Sequence, residues 1–213
     1  MIAAAGSGQR LGAGGPKAFV EVAGRPLIGW SLAALGAAES IQRVVVATPP
    51  GHEAELGRAE LVAGGATRAE SVRLAMAVVD TDLVVIHDAA RPLATPELFD
   101  RVVARLAESG ADGAIAATPV ADTLKLAEDG EVIARTVDRG GLWAAQTPQA
   151  FRAEPLRVAQ AAAEFEAATD EASLIERAGG RVLLVTTDEP NPKVTTPADL
   201  RTVEALLAAR AGR

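Results

Sequence analysis

Residues 3–19, AAAGSGQRLGAGGPKAF, decide the fold and the chemistry that we expect of this chain. Five glycines fall within these seventeen residues, with one arginine, one lysine and no acidic side chain. A glycine-rich loop after a first strand binds phosphate groups, because backbone N–H groups converge on the anion where side chains are missing. The stretch therefore predicts an α/β protein whose first strand leads into a phosphate-binding loop.

The composition indicates one globular domain over residues 1–213, with 49 % hydrophobic and 23 % charged residues. The net charge of −7 argues against nucleic acid as a partner. No apolar run is long enough to cross a membrane. The chain has no cysteine, which excludes disulfides and a thiol nucleophile and is typical of a cytoplasmic protein. We therefore expect a cytoplasmic protein that binds neither nucleic acid nor membranes.

Lysine is rare in this chain. Of its 21 basic residues, three are lysines, namely Lys17, Lys125 and Lys193. An ammonium is a compact point charge, whereas a guanidinium is a planar fork, so the two are not interchangeable at a binding site. Each lysine is therefore a candidate for a specific role.

Short β-branched runs alternate with helical patterns along most of the chain. The strands are predicted at Met1–Ala5, Arg43–Thr48, Glu60–Ala63, Leu83–His87, Gly113–Thr118 and Arg181–Thr186. The helices are predicted at Pro26–Ala38, Arg68–Val79, Pro96–Ser109, Ala153–Ala167, Asp170–Ala178 and Pro197–Ala209. Continuous runs such as VVVA and LVVIH are typical of strands covered on both faces. The pattern predicts a mainly parallel sheet with helices on both sides.

Three of these helices begin with a capping threonine. Thr67 and Glu70 have the spacing of a capping box, in which each side chain accepts from the other residue's backbone N–H. Thr95 and Thr196 each precede a proline, which is favoured at the first helical position. These signals predict the starts of three helices.

Residues 119–142 break the alternation of strand and helix. TLKLAE and EVIARTV alternate apolar and polar residues, and they flank Asp129-Gly130, which is a hairpin turn signal. A half-polar hairpin finds little core to join in such a domain. We expect it to project as an arm, either as a surface excursion or as a contact with a second copy of the chain.

The spacing within the glycine-rich loop separates the known types of phosphate loop. A dinucleotide fingerprint would have a third glycine at Leu11, and a P-loop would have serine or threonine at Ala18. The pattern G-x-G-x-R followed by P-K instead resembles the signature of nucleotidyltransferases. There Arg10 and Lys17 can neutralise charge on the α-phosphate and the departing pyrophosphate. A dinucleotide-dependent oxidoreductase is the distant alternative.

Six later segments narrow the resemblance. They are GGATRAESV, VVIHDAARP, PVADTLK, TVDRGGLWAAQTPQAF, TDEASLIE and PNPKVTTPADL, in this order. With the loop, they resemble the 2-C-methyl-D-erythritol 4-phosphate cytidylyltransferases from Ala3 to Leu200. The resemblance implies a Rossmann-like three-layer nucleotidyltransferase fold and transfer of a cytidylyl group from CTP to the polyol phosphate. Ribitol 5-phosphate stays open as an alternative acceptor, and a non-catalytic nucleotide-binding module is the alternative outside enzymes.

The same resemblance implies the site residues. Arg10 and Lys17 stabilise the transition state, while Arg139 and Lys193 position the acceptor phosphate. CTP is expected to contact Ala4, Ala5, Gly6, Ser7, Gly8, Gly65 and Ser71. The acceptor pocket is expected to include Asp88, Arg91, Thr123 and Thr169. Asp88 is also the candidate ligand of Mg²⁺, with CTP phosphates and water supplying the remaining oxygens.

Two further expectations concern the chemistry and the assembly. A phosphate monoester is already a competent nucleophile near neutral pH, so no strong general base is required. His87, at a strand end, is accordingly expected to be packed or hydrogen-bonded rather than catalytic. In the family, a similar arm exchanges between subunits, so the resemblance implies a homodimer in which Thr123 and Arg139 complete the partner's pocket.

Overall fold

A seven-stranded sheet forms the centre of the computed structural model, which describes residues 1–4, 6, 8, 11–12, 15–49, 51, 56–57, 59–162 and 169–212. The strands of this sheet are β1 (Ile2–Ala3), β4 (Val45–Thr48), β5 (Glu60–Ala63), β6 (Leu83–Asp88), β7 (Gly113–Pro119), β10 (Trp143–Arg152) and β11 (Val182–Thr186). Two further pairs are β2 (Glu21–Val22) with β3 (Arg25–Pro26), and β8 (Leu124–Ala127) with β9 (Ile133–Val137). The helices are α1 (Leu27–Ala37), α2 (Arg68–Met76), α3 (Pro96–Ala107), α4 (Ala153–Ala162), α5 (Glu171–Arg177) and α6 (Pro197–Ala211).

The central sheet is mainly parallel, as the sequence predicted. Its order is β11-β7-β10-β6-β1-β4-β5, and β1 pairs in parallel with both β4 and β6. The exception is β10, which runs antiparallel to its neighbours β6 and β7. No predicted strand corresponds to β10, so its central place in the sheet is a finding of the structure.

Helices cover both faces of the sheet and bury a core on each side. One cluster packs Phe99 and Val102 of α3 and Leu35 of α1 against the sheet. The opposite cluster packs Leu156 of α4 and Phe151 of β10, with residues of α2 and α5. Helix, sheet and helix therefore make the three layers that the resemblance implied.

The helix starts agree with the predicted caps. The side chains of Thr67, Thr95 and Thr196 each accept a hydrogen bond from the backbone N–H three residues on. The capping box predicted for Thr67 is only half formed, because the Glu70 carboxylate accepts from Ala66 N at 2.7 Å. The complete capping box lies instead at Thr196, whose backbone N–H donates to Asp199.

The predicted ends of the helices and strands are less accurate than the predicted helix starts. Helix α2 ends at Met76 rather than Val79, because the following residues form tighter hydrogen bonds three residues apart, such as Val78 N to Ala75 O. Strand β1 spans Ile2–Ala3, and the remainder of the predicted strand includes Ala5, which lies outside the described residues. The predicted end of the fourth helix, Ala167, also lies outside them.

A β-hairpin leaves the sheet between β7 and β10, where Pro119 is paired with Trp143. Its strands β8 and β9 are antiparallel and pair with each other. The turn lies at Asp129-Gly130: Asp129 Oδ1 accepts from two backbone N–H groups, and Gly130 has a φ of +83°. This hairpin over residues 119–142 is called the arm below.

His87 is fully buried near the carboxyl end of β6. Its Nδ1 lies 3.0 Å from Thr147 Oγ1, its Nε2 lies 3.2 Å from the carbonyl oxygen of Arg91, and its ring meets Phe99 edge-on. Burial lowers the pKa of His87 to about 3, because the imidazolium would lose its hydration there. The expectation of a packed, hydrogen-bonded histidine is confirmed.

The buried His87 should make stability fall in mild acid. Below a pH of about 6.5 the unfolded histidine takes up a proton that the folded one, with a pKa of about 3, does not. Its contribution to the free energy of unfolding is thus lost as the pH falls, by up to about 1.4 kcal/mol per pH unit. Urea unfolding of the wild type and His87→Gln between about pH 7 and pH 4.5 measures this. We expect the stability advantage of the wild type to shrink with falling pH, and a constant difference would contradict it.

Candidate active site

A cavity of about 190 Å³ opens at the carboxyl ends of β1 and β6. This edge of a parallel sheet is where α/β proteins bind ligands. The lining residues come from the first loop, α2, the end of β6 and the segment before α6: Ala3, Ala4, Gly6, Lys17, Ala18, Arg68, Ser71, Asp88, Ala89, Ala90 and Lys193. The cavity therefore brings together chain segments from both ends of the sequence.

The glycine-rich loop folds closely over Lys17. Gly8 has a φ of +65°, and a Cβ there would lie 2.9 Å from Lys17 Cβ and 3.1 Å from Lys17 N, so a side chain would not fit. The backbone N–H of Lys17 donates to Gly6 O at 3.1 Å. The Lys17 ammonium in turn donates to the carbonyl oxygen of Val194 at 2.9 Å. The loop thus aims Lys17 across the cavity at the segment that carries Lys193.

Asp88 is the carboxylate at the centre of the site. It ends β6, it is 7 % exposed, and each of its oxygens holds a different cation. Oδ2 accepts from Lys193 Nζ at 2.6 Å, and Oδ1 accepts from Arg68 Nε at 2.8 Å. Burial alone would raise the pKa of Asp88, but the two cations outweigh it and hold that pKa well below the usual range. Asp88 is therefore ionised throughout the neutral range.

A second carboxylate lies behind Arg68. Glu171, in the first turn of α5, accepts from Arg68 Nη1 through both of its oxygens, at 2.9 and 3.0 Å. Its side chain is 2 % exposed, and burial raises the pKa of Glu171 above the ordinary value although Arg68 opposes the shift. Burial would lower the pKa of Arg68, but Glu171 and Asp88 overcome this and raise it, so the guanidinium stays charged.

The lining has a positive excess. Among the described lining residues, Lys17, Arg68 and Lys193 face the single acid Asp88. Since the overall chain carries a formal charge of −7, this local reversal of sign marks a site for an anion. Three cations gathered at a glycine-rich loop suit a ligand with several phosphate charges.

The segment before α6 is tied down on several sides. Val194 N donates to Ala90 O at 2.8 Å, and the Asn191 side chain donates to Thr147 O at 2.8 Å. Arg91 Nη1 donates to the carbonyl oxygen of Asn191 at 2.6 Å. These bonds fix the backbone on each side of Lys193, so its side chain extends into the cavity from a fixed backbone segment.

Ser71 lies in α2 and ties that helix to the Gly64-Gly65 turn. Its hydroxyl donates to Thr67 O at 2.8 Å and accepts from Gly65 N at 3.0 Å. Gly65 is packed so closely under Glu70 that a Cβ would lie 2.3 Å from Glu70 Cγ. Because the hydroxyl proton is already donated, Ser71 can only accept a hydrogen bond from a ligand.

The structure brings some of the expected site residues together and leaves others apart. The cavity lining includes Ala4, Gly6, Lys17, Ser71, Asp88 and Lys193. The described residues that are expected at the site but do not line the cavity are Gly8, Gly65, Arg91, Thr123, Arg139 and Thr169. Arg10, Ala5 and Ser7 lie outside the described residues.

Thr123 and Arg139 stand on the arm and are exposed. Arg139 Nη1 donates to the carbonyl oxygen of Ala121 within the same arm. Arg91 contacts Asn191 and so supports the Lys193 segment from behind. Thr169 is exposed just before α5.

Arg68 and Glu171 were not predicted from the sequence. One signal pointed to Arg68: a cation in the first turn of α2 opposes the helix dipole, so it needs another reason to be there. Glu171 gave no such signal, because an acid in the first turn of α5 is favourable in any case. Their ion pair joins residues 103 positions apart, which no local pattern can show.

A mainly parallel sheet with a glycine-rich loop and converging cations at its carboxyl edge defines a nucleotidyltransferase class of protein. Comparison with known proteins narrows this class. Residues 1–209 match the family model of IspD, 2-C-methyl-D-erythritol 4-phosphate cytidylyltransferase, and the chain belongs to this family.

Individual relatives agree with the family. The 2-C-methyl-D-erythritol 4-phosphate cytidylyltransferase of Deinococcus radiodurans is 50 % identical over 209 residues, covering 97 % of this chain and 88 % of that protein. The protein of the same name from Synechococcus sp. strain WH7803 is 45 % identical over 222 residues and covers 99 % of both. The crystal structure of the Thermus thermophilus cytidylyltransferase superposes with a TM-score of 0.82 at 38 % identity, covering 97 % of each chain.

Proposed function

We propose that this chain transfers the cytidylyl group of CTP to 2-C-methyl-D-erythritol 4-phosphate, giving 4-diphosphocytidyl-2-C-methyl-D-erythritol and pyrophosphate. Membership of the family supports the two substrates. The observation in the structure that carries the proposal is the meeting of Lys17 and Lys193 in one cavity beside the glycine-rich loop. Two cations in one cavity can neutralise charge on two phosphate-bearing substrates.

The reaction is an in-line displacement at phosphorus. An oxygen of the acceptor phosphate forms a bond to the α-phosphorus of CTP while the bond from that phosphorus to the β-phosphate oxygen breaks, and pyrophosphate departs with the electron pair. The nucleophile is already an anion, so no proton has to be removed. The chain's task is to hold two polyanions in line and to stabilise the charge that builds on them.

The histidine near the site does not serve as a base. His87 has both ring nitrogens in hydrogen bonds, to Thr147 and to the Arg91 carbonyl, and it does not line the cavity. Its pKa of about 3 keeps it neutral at the pH of the reaction. This agrees with catalysis by electrostatic positioning rather than by proton transfer.

We assign Lys17 to the nucleotide. Its ammonium lies 2.9 Å from the Val194 carbonyl oxygen, and a bound triphosphate would replace this neutral acceptor with charged oxygens. Arg10, predicted to stabilise the transition state beside it, belongs to the same loop. Ala4 and Gly6 line the cavity as small residues that leave room for the nucleotide, and Ser71 offers a lone pair to a donor group of the base.

We assign Lys193 to the acceptor phosphate. Its ammonium donates to Asp88 from a backbone segment fixed on both sides, and it lines the same cavity as Lys17. Asp88 keeps the ammonium in place until the substrate phosphate arrives. Arg139 is expected to complete the acceptor site from the arm, together with Thr123.

Asp88 is the residue that would contact Mg²⁺. The residues present fit an ion carried mainly by nucleotide phosphates and water, because the described residues contain no cluster of three potential metal ligands. Each Asp88 oxygen already accepts from one cation, so each has at most one further lone pair to offer a metal ion. When bound, Mg²⁺ would neutralise charge on the triphosphate and on the leaving pyrophosphate.

We further propose a homodimer formed through the arm. A two-stranded hairpin is marginally stable by itself. This one exposes apolar side chains, with Val132 67 % and Ile133 58 % exposed. Arg139 and Thr123 do not line the cavity of their own chain, which is the arrangement that sites shared between subunits would have. Light scattering that showed an active monomer at assay concentration would contradict the dimer.

No helix in the described part of the chain has the length and apolarity needed to cross a bilayer. We retain the cytoplasm as the expected location, on the basis of the missing cysteines.

The substrate assignment predicts selective pyrophosphate release. With CTP and Mg²⁺ present, 2-C-methyl-D-erythritol 4-phosphate should give sustained release of pyrophosphate, whereas ribitol 5-phosphate should give a much lower kcat/KM. A coupled pyrophosphate assay with each acceptor measures this. Preference for ribitol 5-phosphate would overturn the choice of acceptor. Binding of NADH without a CTP-dependent thermal shift would overturn the reaction class.

The shared sites predict complementation between two inactive variants. Arg139→Ala and Lys193→Ala should each lose nearly all activity, because each removes a cation from the acceptor phosphate. Unfolded and refolded together in equal amounts, they should regain about a quarter of wild-type activity, since about half of the dimers are mixed and each has one intact site. Each variant refolded alone is the control. No recovery in the mixture would show that arm and cavity act within one chain.

A further inference from the structure

Four charged side chains form a continuous series of ion pairs, and three of them, Arg68, Asp88 and Lys193, line the cavity. Glu171 of α5 binds Arg68 of α2, Arg68 binds Asp88 at the end of β6, and Asp88 binds Lys193. The two ends of this series differ in exposure, because the Glu171 side chain is 2 % exposed and the Lys193 side chain is 38 % exposed. The chain of pairs therefore runs from the core to the place where the acceptor phosphate is proposed to bind.

We propose that Glu171 is a positioning residue for cytidylyl transfer, acting through Arg68 and Asp88 to fix the ammonium of Lys193 in the cavity. This inference rests on the proposed function, in which Lys193 binds the acceptor phosphate. Glu171 does not line the cavity, so its effect on the reaction has to pass through Arg68.

The geometry of Arg68 carries the first step. A guanidinium is a rigid planar fork, so a contact at one edge fixes the direction of the others. Glu171 holds Nη1 with both carboxylate oxygens, and this leaves Nε directed at Asp88 Oδ1 at 2.8 Å. Arg68 thereby occupies one oxygen of Asp88 and leaves Oδ2 to Lys193.

The balance of charge carries the second step. With Glu171 ionised, two carboxylates serve the two cations Arg68 and Lys193. If Glu171 lost its charge, both cations would compete for Asp88 alone, in a site where Asp88 and Glu171 are almost fully buried. The Arg68 guanidinium, no longer held by Glu171, would then be free to donate two hydrogen bonds to Asp88, one to each carboxylate oxygen, and so displace Lys193.

Glu171 is itself held firmly. Asp170, the residue before it, caps α5 by accepting from Ser173 N at 3.0 Å, and it accepts from the Gln149 side chain of β10 at 2.9 Å. The helix start is thus fastened to a central strand. Because the backbone of Glu171 is held in place in this way, its carboxylate can fix the position of the Arg68 guanidinium.

Stability alone does not account for this arrangement. A buried ion pair seldom gains net stability over apolar packing, because desolvation offsets the attraction. A fixed geometry next to a reacting phosphate is a benefit of another kind, since small displacements of a positioning group cost large factors in rate.

The test compares Glu171→Gln with Glu176→Gln. Both remove one acid from α5, but Glu176 is exposed and makes no contact with the network in the described structure. Initial rates are measured first with 2-C-methyl-D-erythritol 4-phosphate varied at saturating CTP, and then with CTP varied at saturating 2-C-methyl-D-erythritol 4-phosphate. The melting temperature of each variant is also recorded. We expect Glu171→Gln to lower kcat/KM for the acceptor by roughly 10- to 100-fold, with KM for CTP within about twofold of the wild type.

The conservative variant Glu171→Asp keeps the negative charge, so its kcat/KM for the acceptor should be much closer to that of the wild type than that of Glu171→Gln. The inference would be overturned if Glu171→Gln had the same kcat/KM for the acceptor as Glu176→Gln. It would also be overturned if Glu171→Gln lowered kcat/KM equally for the acceptor and for CTP. If Glu171→Gln does not fold, Arg68→Lys replaces it, since a lysine keeps the charge but cannot hold two carboxylates with one planar fork. Wild-type kcat/KM for the acceptor in Arg68→Lys would then overturn it. An inactive wild type would instead defeat the proposed function.

Discussion

The carboxylate of Asp88 is the constraint on which the rest of the site depends. It ends β6 in the centre of the sheet, and its two oxygens hold Arg68 from one helix and Lys193 from the segment before another. These contacts draw together residues 20 and 105 positions away in the chain. A buried carboxylate needs such partners, and the partners in turn become fixed cations at the edge of the proposed phosphate site.

A fixed arrangement of cations explains how this chain can speed a reaction between two anions. The substrates repel each other, so the protein has to supply opposite charge at defined places before they meet. The loop closes over Lys17 through Gly8, and the segment around Lys193 is bonded to Ala90 and Thr147. Both lysines therefore extend from fixed backbone segments and line one cavity.

Most of the fold could be predicted from the sequence, because continuous apolar runs and helix caps are local signals. Strand β10 could not, since Gln146, Thr147 and Pro148 interrupt its apolar pattern and a proline argues against a central strand. Lys17, Asp88 and Lys193 were expected at the site from the family resemblance, and all three line the cavity. Arg68 and Glu171 were not predicted, because their role comes from an ion pair between two helices that are far apart in the sequence.

The central claim is that the two ends of the chain divide the substrates, with the loop and Lys17 binding CTP and Lys193 binding the acceptor phosphate. Calorimetric titration of CTP into wild type and Lys193→Ala, paired with turnover of 2-C-methyl-D-erythritol 4-phosphate by the same samples, tests it most directly. We predict a nearly unchanged Kd for CTP with turnover almost abolished. A loss of CTP affinity in proportion to the loss of turnover would contradict the account.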